Sequence, residues 1–137
     1  MTNLFEKVLL TGFGLFTLII FFSLVNPFLG EIADYYKNID NEKKIYITFI
    51  SKIDYAINSI IEDPNETYLE EVNYPKDLNI SFYGNNTKYD YVLQYQTYSV
   101  LKEYSKQFVE YHYCNVLPEV YNLLITCKSS KIDVRLK

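Results

Sequence analysis

Residues 8–29 (VLLTGFGLFTLIIFFSLVNPFL) carry no charged side chain over 22 positions. A helix of that length rises roughly 33 Å, enough to cross a hydrocarbon core of roughly 30 Å. Its polar exceptions Thr11, Thr17 and Ser23 can bond back to helix carbonyls, and Asn26 falls near one interface. The stretch predicts a retained transmembrane helix rather than a cleaved signal. Its basic flank is Lys7 alone, offset by Glu6, the apolar run is too long for a signal core, and Phe28-Leu29-Gly30 fits a small-x-small cleavage site poorly. Lys7 at one end competes with Lys37, Lys43 and Lys44 beyond the other, so the flanking charges do not orient the span.

From residue 31 to 62 the apolar positions Ile32, Tyr35, Tyr36, Ile39, Tyr46, Phe49, Ile50, Ile53, Ile57, Ile60 and Ile61 fall mostly three or four apart, the period of an amphipathic helix. Glu42, Lys43 and Lys44 take the opposite surface. The helix is therefore expected to continue out of the span for several more turns, with Asn26-Pro27, a cap and a first-turn proline, as the one place where a kink or restart could interrupt it, and Asp63-Pro64-Asn65 ends it.

The period then changes to two. Residues 78–83 and 89–95 are β-prone runs around Gly84-Asn85-Asn86-Thr87, which reads as a hairpin. Residues 120–127 form another run, and Ile132, Val134 and Leu136 alternate with Asp133 and Arg135 across Lys128-Ser129-Ser130. Residues 97–105 and 106–113 fit either period and are read as strands. The expected fold is α+β, with a long N-terminal transmembrane and amphipathic helix followed by a small antiparallel β-sheet or β-sandwich of about five to seven strands. The expected divisions are a membrane anchor at 1–30, a helical stem at 31–63 and an extracytoplasmic β domain at 64–137.

Composition narrows the work such a chain can do. Charged residues are 22% and apolar residues 49% of 137, which fits a folded chain. A net charge of −4 with no basic block argues against nucleic acid as a partner. One His, two Cys and four Gly leave little material for a metal site, a catalytic triad or a phosphate-cradling loop. His112 with Cys114 on one strand face lacks an orienting group or an oxyanion motif. Glu62-Asp63 and Glu70-Glu71 lack the graded ligand spacing of a calcium loop and read as solvated charge. No catalytic residue, metal ligand or cofactor site is therefore expected.

Three acceptor sequons begin at Asn65, Asn79 and Asn85, a mild excess over chance, and all follow the span. Cys114 and Cys127 bracket a turn-rich region of a small domain and read as a disulfide, which would strengthen a marginal core. Together these favour an exterior location for the C-terminal part, as a single-pass cell-membrane protein. Fifteen Tyr without Trp give more rings than a small core buries, so some are expected to contact neighbours.

An apolar helix at 8–29 preceded by Glu6, an Ile-rich stripe over 39–61 and the segment YPKDLNISF at 74–82 leading into a hairpin make a layout that resembles archaeal type IV pilin-like proteins, including accessory proteins of the archaellum. The resemblance implies an apolar helix packed in a filament core or a membrane, and a β domain contacting neighbours or a surface layer. The expected function is a non-enzymatic, membrane-anchored structural or interaction subunit of a pilus-like, archaellum-associated or envelope assembly. Its partners would be the membrane and like or unlike protein subunits, homo-oligomers included. The alternative is an accessory single-span subunit of a membrane enzyme complex or a virion membrane glycoprotein, with Gly12, Gly14 and Thr17 permitting close helix approach.

Overall fold

The computed structural model of the chain describes residues 2–137. One helix, α1 (Thr2–Glu62), is followed by eight strands: β1 (Thr67–Asn73), β2 (Leu78–Tyr83), β3 (Asn86–Leu93), β4 (Gln96–Glu103), β5 (Gln107–Phe108), β6 (Tyr111–Tyr113), β7 (Val120–Lys128) and β8 (Lys131–Leu136). The chain is α+β, as the change of hydrophobic period predicts. Contacts divide it into two units, Met1–Asp40 and Asn41–Lys137.

In the first unit the apolar side chains of α1 stand exposed from Leu4 to Leu29. The hydroxyls among them are satisfied within the helix: Thr11, Thr17 and Ser23 each donate to the carbonyl four residues back, all at 2.8 Å. As expected, the helix continues past the uncharged stretch, and α1 runs unbroken through Pro27 with no restart at Asn26-Pro27. A proline removes one intrahelical hydrogen bond, a loss that apolar spanning helices tolerate.

The second unit begins inside α1. Tyr46, Phe49, Ile50, Ile53, Ala56, Ile57 and Ile60 are buried at three- and four-residue spacing, forming one complete face. Each large side chain in that stripe contributes about 1.5–3 kcal/mol of apolar burial. The helix ends where Asp63 Oδ1 accepts from the Asn65 backbone N–H at 3.2 Å and Pro64 cannot continue the ladder.

The strands form two four-stranded sheets, ordered β1-β7-β8-β5 and β4-β3-β2-β6. Alternation fixes which side of each strand is buried: Leu78, Ile80 and Phe82 on β2 and Thr87, Tyr89, Tyr91 and Leu93 on β3 face the core. The Phe82 and Phe108 rings, 5.5 Å apart, link the two sheets.

Three features depart from expectation. The strand β1, within a Glu-rich stretch, pairs along all seven residues with β7. The ambiguous run 106–113 splits into two short strands in different sheets, and β5 joins β8 in parallel. The run 89–95 ends early because Gln94 and Tyr95, at φ 50° and 65°, make a two-residue turn between paired Leu93 and Gln96. Positive φ at both central positions is the type I′ pattern, normally supplied by Asn or Gly. Ser129 and Ser130 do the same at the β7–β8 turn, whereas Gly84 at φ 55° opens the β2–β3 turn conventionally.

Candidate functional site

The expected Cys114–Cys127 bridge is not formed; both residues are free thiols. Cys114 follows β6, an edge strand of one sheet, while Cys127 lies in β7 of the other, opposite Ile132. Spacing in the chain brackets a turn region but does not bring the two together.

The sequons differ in their surroundings. Asn65 is exposed in the turn after α1. Asn79 accepts from the Asn115 backbone N–H at 3.2 Å, and Asn85 donates to Glu103 Oε1 at 3.0 Å and to the Tyr104 carbonyl at 3.4 Å. On α1, Gly14 and Thr17 share a face three residues apart, while Gly12, two residues from Gly14, points elsewhere. A Cβ at either glycine would meet no atom within 4 Å.

His112 sits on β6 opposite Ser81 and is exposed. Among the described residues no group of three or more His, Cys, Asp or Glu could hold a metal ion. Of the acidic pairs, Glu70 is engaged: its Oε1 lies 2.6 Å from Lys52 Nζ, and the Tyr68 hydroxyl donates to its Oε2. The Lys52 contact, then that from Tyr68, holds the Glu70 carboxyl below its usual range. Burial, and next the Glu70 carboxylate, push the Tyr68 hydroxyl up to about 12.

The tyrosines organise the second unit. Tyr46, Tyr91 and Tyr98 form a continuous ring stack, with centroids 4.4 and 5.5 Å apart and planes 13° and 14° from parallel. Tyr46 anchors it by donating to the Lys76 carbonyl at 2.9 Å. A second cluster joins α1 to β4 and its following loop. Tyr104 donates to Asp54 Oδ1 at 2.7 Å, and Lys102 Nζ lies 3.3 Å from Asp54 Oδ2. The buried hydroxyls of Thr87 and Tyr89 lie close to that of Tyr104 and have no hydrogen-bond partner of good geometry. Burial pushes the Tyr89 hydroxyl up to about 12 and raises that of Tyr104 further. Asp54 and Tyr104 are fifty residues apart, so only the folded chain reveals the cluster.

Other rings face outward: Tyr35, Tyr36, Tyr55, Tyr111 and, most completely, Tyr95 at 103% exposure. Tyr95 stands at the mouth of a groove of about 550 Å³ shared with Glu42, Ile45, Lys76 and Val92. A second groove of about 460 Å³ continues past Lys76 and Val92 to Leu117 and Pro118. A third, about 400 Å³, lies across Ile45 from the first, between Lys44, Phe49 and Val72. Asn41, the first residue of the second unit, lines the third of these grooves.

Comparison with protein-family models, with curated proteins and with solved structures finds no match. Among the described residues one helix is long and apolar enough to cross a membrane, with a mean hydropathy of 2.5 in its apolar window and none of that window buried.

Proposed function

We propose that this chain is a non-enzymatic, membrane-anchored structural or interaction subunit of a pilus-like, archaellum-associated or envelope assembly, with its β domain outside the cell. The observation that carries the reading is the uncharged stretch 8–29, whose apolar side chains have no cover within the chain, joined to a unit with a complete core of its own. Exposing that many apolar side chains to water is untenable, so lipid or a bundle of like helices must receive them. The free thiols withdraw the disulfide as a reason for an exterior location. The outward orientation rests on the sequons, of which Asn65 is fully presented. Outward-facing tyrosines supply contact area of the kind interfaces use, each ring bringing large apolar surface with one polar tip.

Exposed Cys114 provides the test. A membrane-impermeant maleimide applied to intact cells is expected to label Cys114, and mild crosslinking followed by detergent extraction is expected to yield the chain in a defined assembly. Labelling only after lysis overturns the orientation. An uncrosslinked monomer in the native membrane overturns the assembly role.

A further inference from the structure

The edge of a β-sheet presents a row of unpaired N–H and C=O groups, and folded proteins shorten, charge, cover or bulge such edges to keep other strands off them. Three of the four edges in the second unit are managed in that way. Asn122 exchanges backbone bonds with Lys137, so Glu71, its partner on β1, faces away from β7. The Glu71 carbonyl there accepts from Lys52 Nζ at 3.2 Å, and the side chains of Glu70 and Glu71 charge the strand. The strand β5 is two residues long, and its Phe108 N–H donates to the Gly84 carbonyl at 2.7 Å; β6 is three residues long.

The fourth edge, β4, has none of these devices. It runs eight residues without Pro, Gly or a bulge, and it is uncharged from Gln96 to Leu101. Leu93 and Gln96 close a two-residue turn and so exchange hydrogen bonds, which leaves the N–H and C=O of Thr97, Ser99, Leu101 and Glu103 pointing away from β3. Among the described residues nothing bonds to them. Lys102, the one cation on the strand and its natural guard, is drawn back onto Asp54 at 3.3 Å. Leu101 beside it is 61% exposed.

We propose that β4 pairs antiparallel with β4 of a second copy of this chain, two-fold about Val100, joining the β4-β3-β2-β6 sheets of the two copies edge to edge. The inference rests on the assembly part of the reading above and on the second unit alone; it uses no position of the span. A second copy offers only this edge unguarded, so β4 meets its own equivalent and the contact closes as a pair. Centring on Val100 is the register in which all of the outward residues find one another, Thr97 opposite Glu103 and Ser99 opposite Leu101 in each direction. It also sets Lys102 opposite Tyr98, so like charges of the two copies lie at opposite ends of the ladder. A parallel pairing in register would instead set Lys102 on Lys102 and Glu103 on Glu103. Val100 meets Val100 at a non-hydrogen-bonded position, where side chains approach most closely, and the two exposed Leu101 side chains share a diagonal. Main-chain bonds of this kind supply affinity, and the alternating side chains fix the register.

The test uses the full chain, concentrated in detergent with micelles in excess over chains, in a Cys114→Ser, Cys127→Ser background. Val100→Cys, Leu69→Cys on the guarded β1 edge, Ser129→Cys at the β7–β8 turn and Ile20→Cys in the uncharged stretch are each treated with a mild oxidant, and the rate of disulfide-linked dimer formation is read. Val100→Cys is expected to link several-fold faster than Leu69→Cys and Ser129→Cys, although position 100 is the least exposed of the three. A mixture of Ser99→Cys and Leu101→Cys chains, which face each other in this register, gives the same reading with Val100 untouched. Leu101→Lys brings two ammonium groups near each other across the pair and leaves the backbone alone. It is expected to slow the Val100→Cys link several-fold with the near-ultraviolet dichroism unchanged. Equal rates at 100, 69 and 129 overturn the pairing, as does a rate at 100 that Leu101→Lys leaves as it was. Dimers linked at 20 but not at 100 mean that the copies meet through the helix, which overturns the β4 pairing and keeps the assembly reading. Dimers linked at none of the four sites also overturn the pairing, and crosslinking in the native membrane then decides separately whether unlike subunits sustain the assembly reading.

Discussion

The Tyr104 hydroxyl donates to Asp54 Oδ1 at 2.7 Å, tying the loop after β4 to the buried part of α1 across fifty residues of sequence. Tyr104 is buried, at 8% exposure, while the Asp54 carboxylate is partly exposed. Removing the Tyr104 hydroxyl alone, by Tyr104→Phe, is expected to cost about 1.5 kcal/mol, the low end for a hydrogen bond to a charged group, since the Asp54 carboxylate is partly exposed. Asp54→Ala is expected to cost more, about 2–3 kcal/mol, because it leaves the hydroxyl of buried Tyr104 without its acceptor beside the unpartnered Thr87 and Tyr89 hydroxyls. Denaturant unfolding of the two variants measures the order; equal losses would mean the stranded groups find other partners.

The buried tyrosines set an alkaline limit on stability. Tyr89 and Tyr68 are pushed up to about 12 from 10.0, and Tyr46, Tyr74, Tyr91, Tyr104 and Tyr113 are also raised, burial being the first cause in every case. A raised folded value means the neutral form is favoured in the folded state. The resulting stability is whole below pH 10 and is lost as pH climbs through the folded values, near 12 for Tyr89 and Tyr68. Phenolate absorbance should therefore lag behind that of the denatured chain and then rise with unfolding. In Tyr89→Phe the alkaline transition should be shallower, and an unchanged curve would remove Tyr89 from the set.

The turn at Gln94-Tyr95 places two residues with side chains where Asn-Gly is the favoured pair. Replacing both, Gln94→Asn with Tyr95→Gly, should relieve strain of order 1 kcal/mol and raise the melting temperature by a few degrees for a unit of this size. Ser129→Asn with Ser130→Gly makes the same backbone change at the β7–β8 turn and should stabilise similarly. A thermal scan of both pairs checks this, and a lower melting temperature for either would show that its side chains contribute more than the strain they cause.

How much of this could be read in the sequence depends on the range of the interactions involved. The helical stripe from Tyr46 to Ile60 and the alternation in β2 and β3 are local periodicities that appear in the fold where the pattern puts them, whereas in β8 Asp133 is buried along with Ile132 and Val134 and is held by Arg135 and Lys128. The strand β1 was hidden because Glu70 and Glu71 dilute its alternation; its pairing with β7 and the Lys52–Glu70 contact compensate, and both are long-range. The Gln94-Tyr95 turn carries none of the usual turn residues, so nothing local marks it. Cys114 and Cys127 are the complementary case: their spacing in the chain reads as a pair, but one is exposed just past β6 and the other half-buried within β7, and both are free thiols.

Free thiols in place of a bridge give a direct prediction. Reductant should leave the melting temperature unchanged, and Cys114→Ser should stay within about 0.5 kcal/mol of the parent, as exposed substitutions generally do. Thiol titration should find both cysteines, exposed Cys114 reacting first and half-buried Cys127 more slowly. A protein that yields thiols only after reduction would contradict this arrangement.

The boundary of the folded unit lies inside the helix, and truncation can locate it. Ile53, Ala56 and Ile57 are fully buried and Ile60 nearly so, as are Tyr89, Leu123 and Ile125 on the two sheets. Without residues 41–62 the sheets lose one wall of their core, including the Tyr46–Tyr91 stack and the Asp54–Tyr104 bond. A fragment of residues 64–137 is therefore expected to aggregate, whereas 41–137 is expected to be soluble and to unfold cooperatively. Within 41–137, Ile57→Ala should cost about 2–5 kcal/mol as a buried truncation, and Ile47→Ala, at a half-exposed position, much less. Sizing and near-ultraviolet dichroism of both fragments decide the matter. A folded 64–137 would mean the sheets close on each other without the helix, and an Ile57→Ala cost no larger than that of Ile47→Ala would place the helix outside the core.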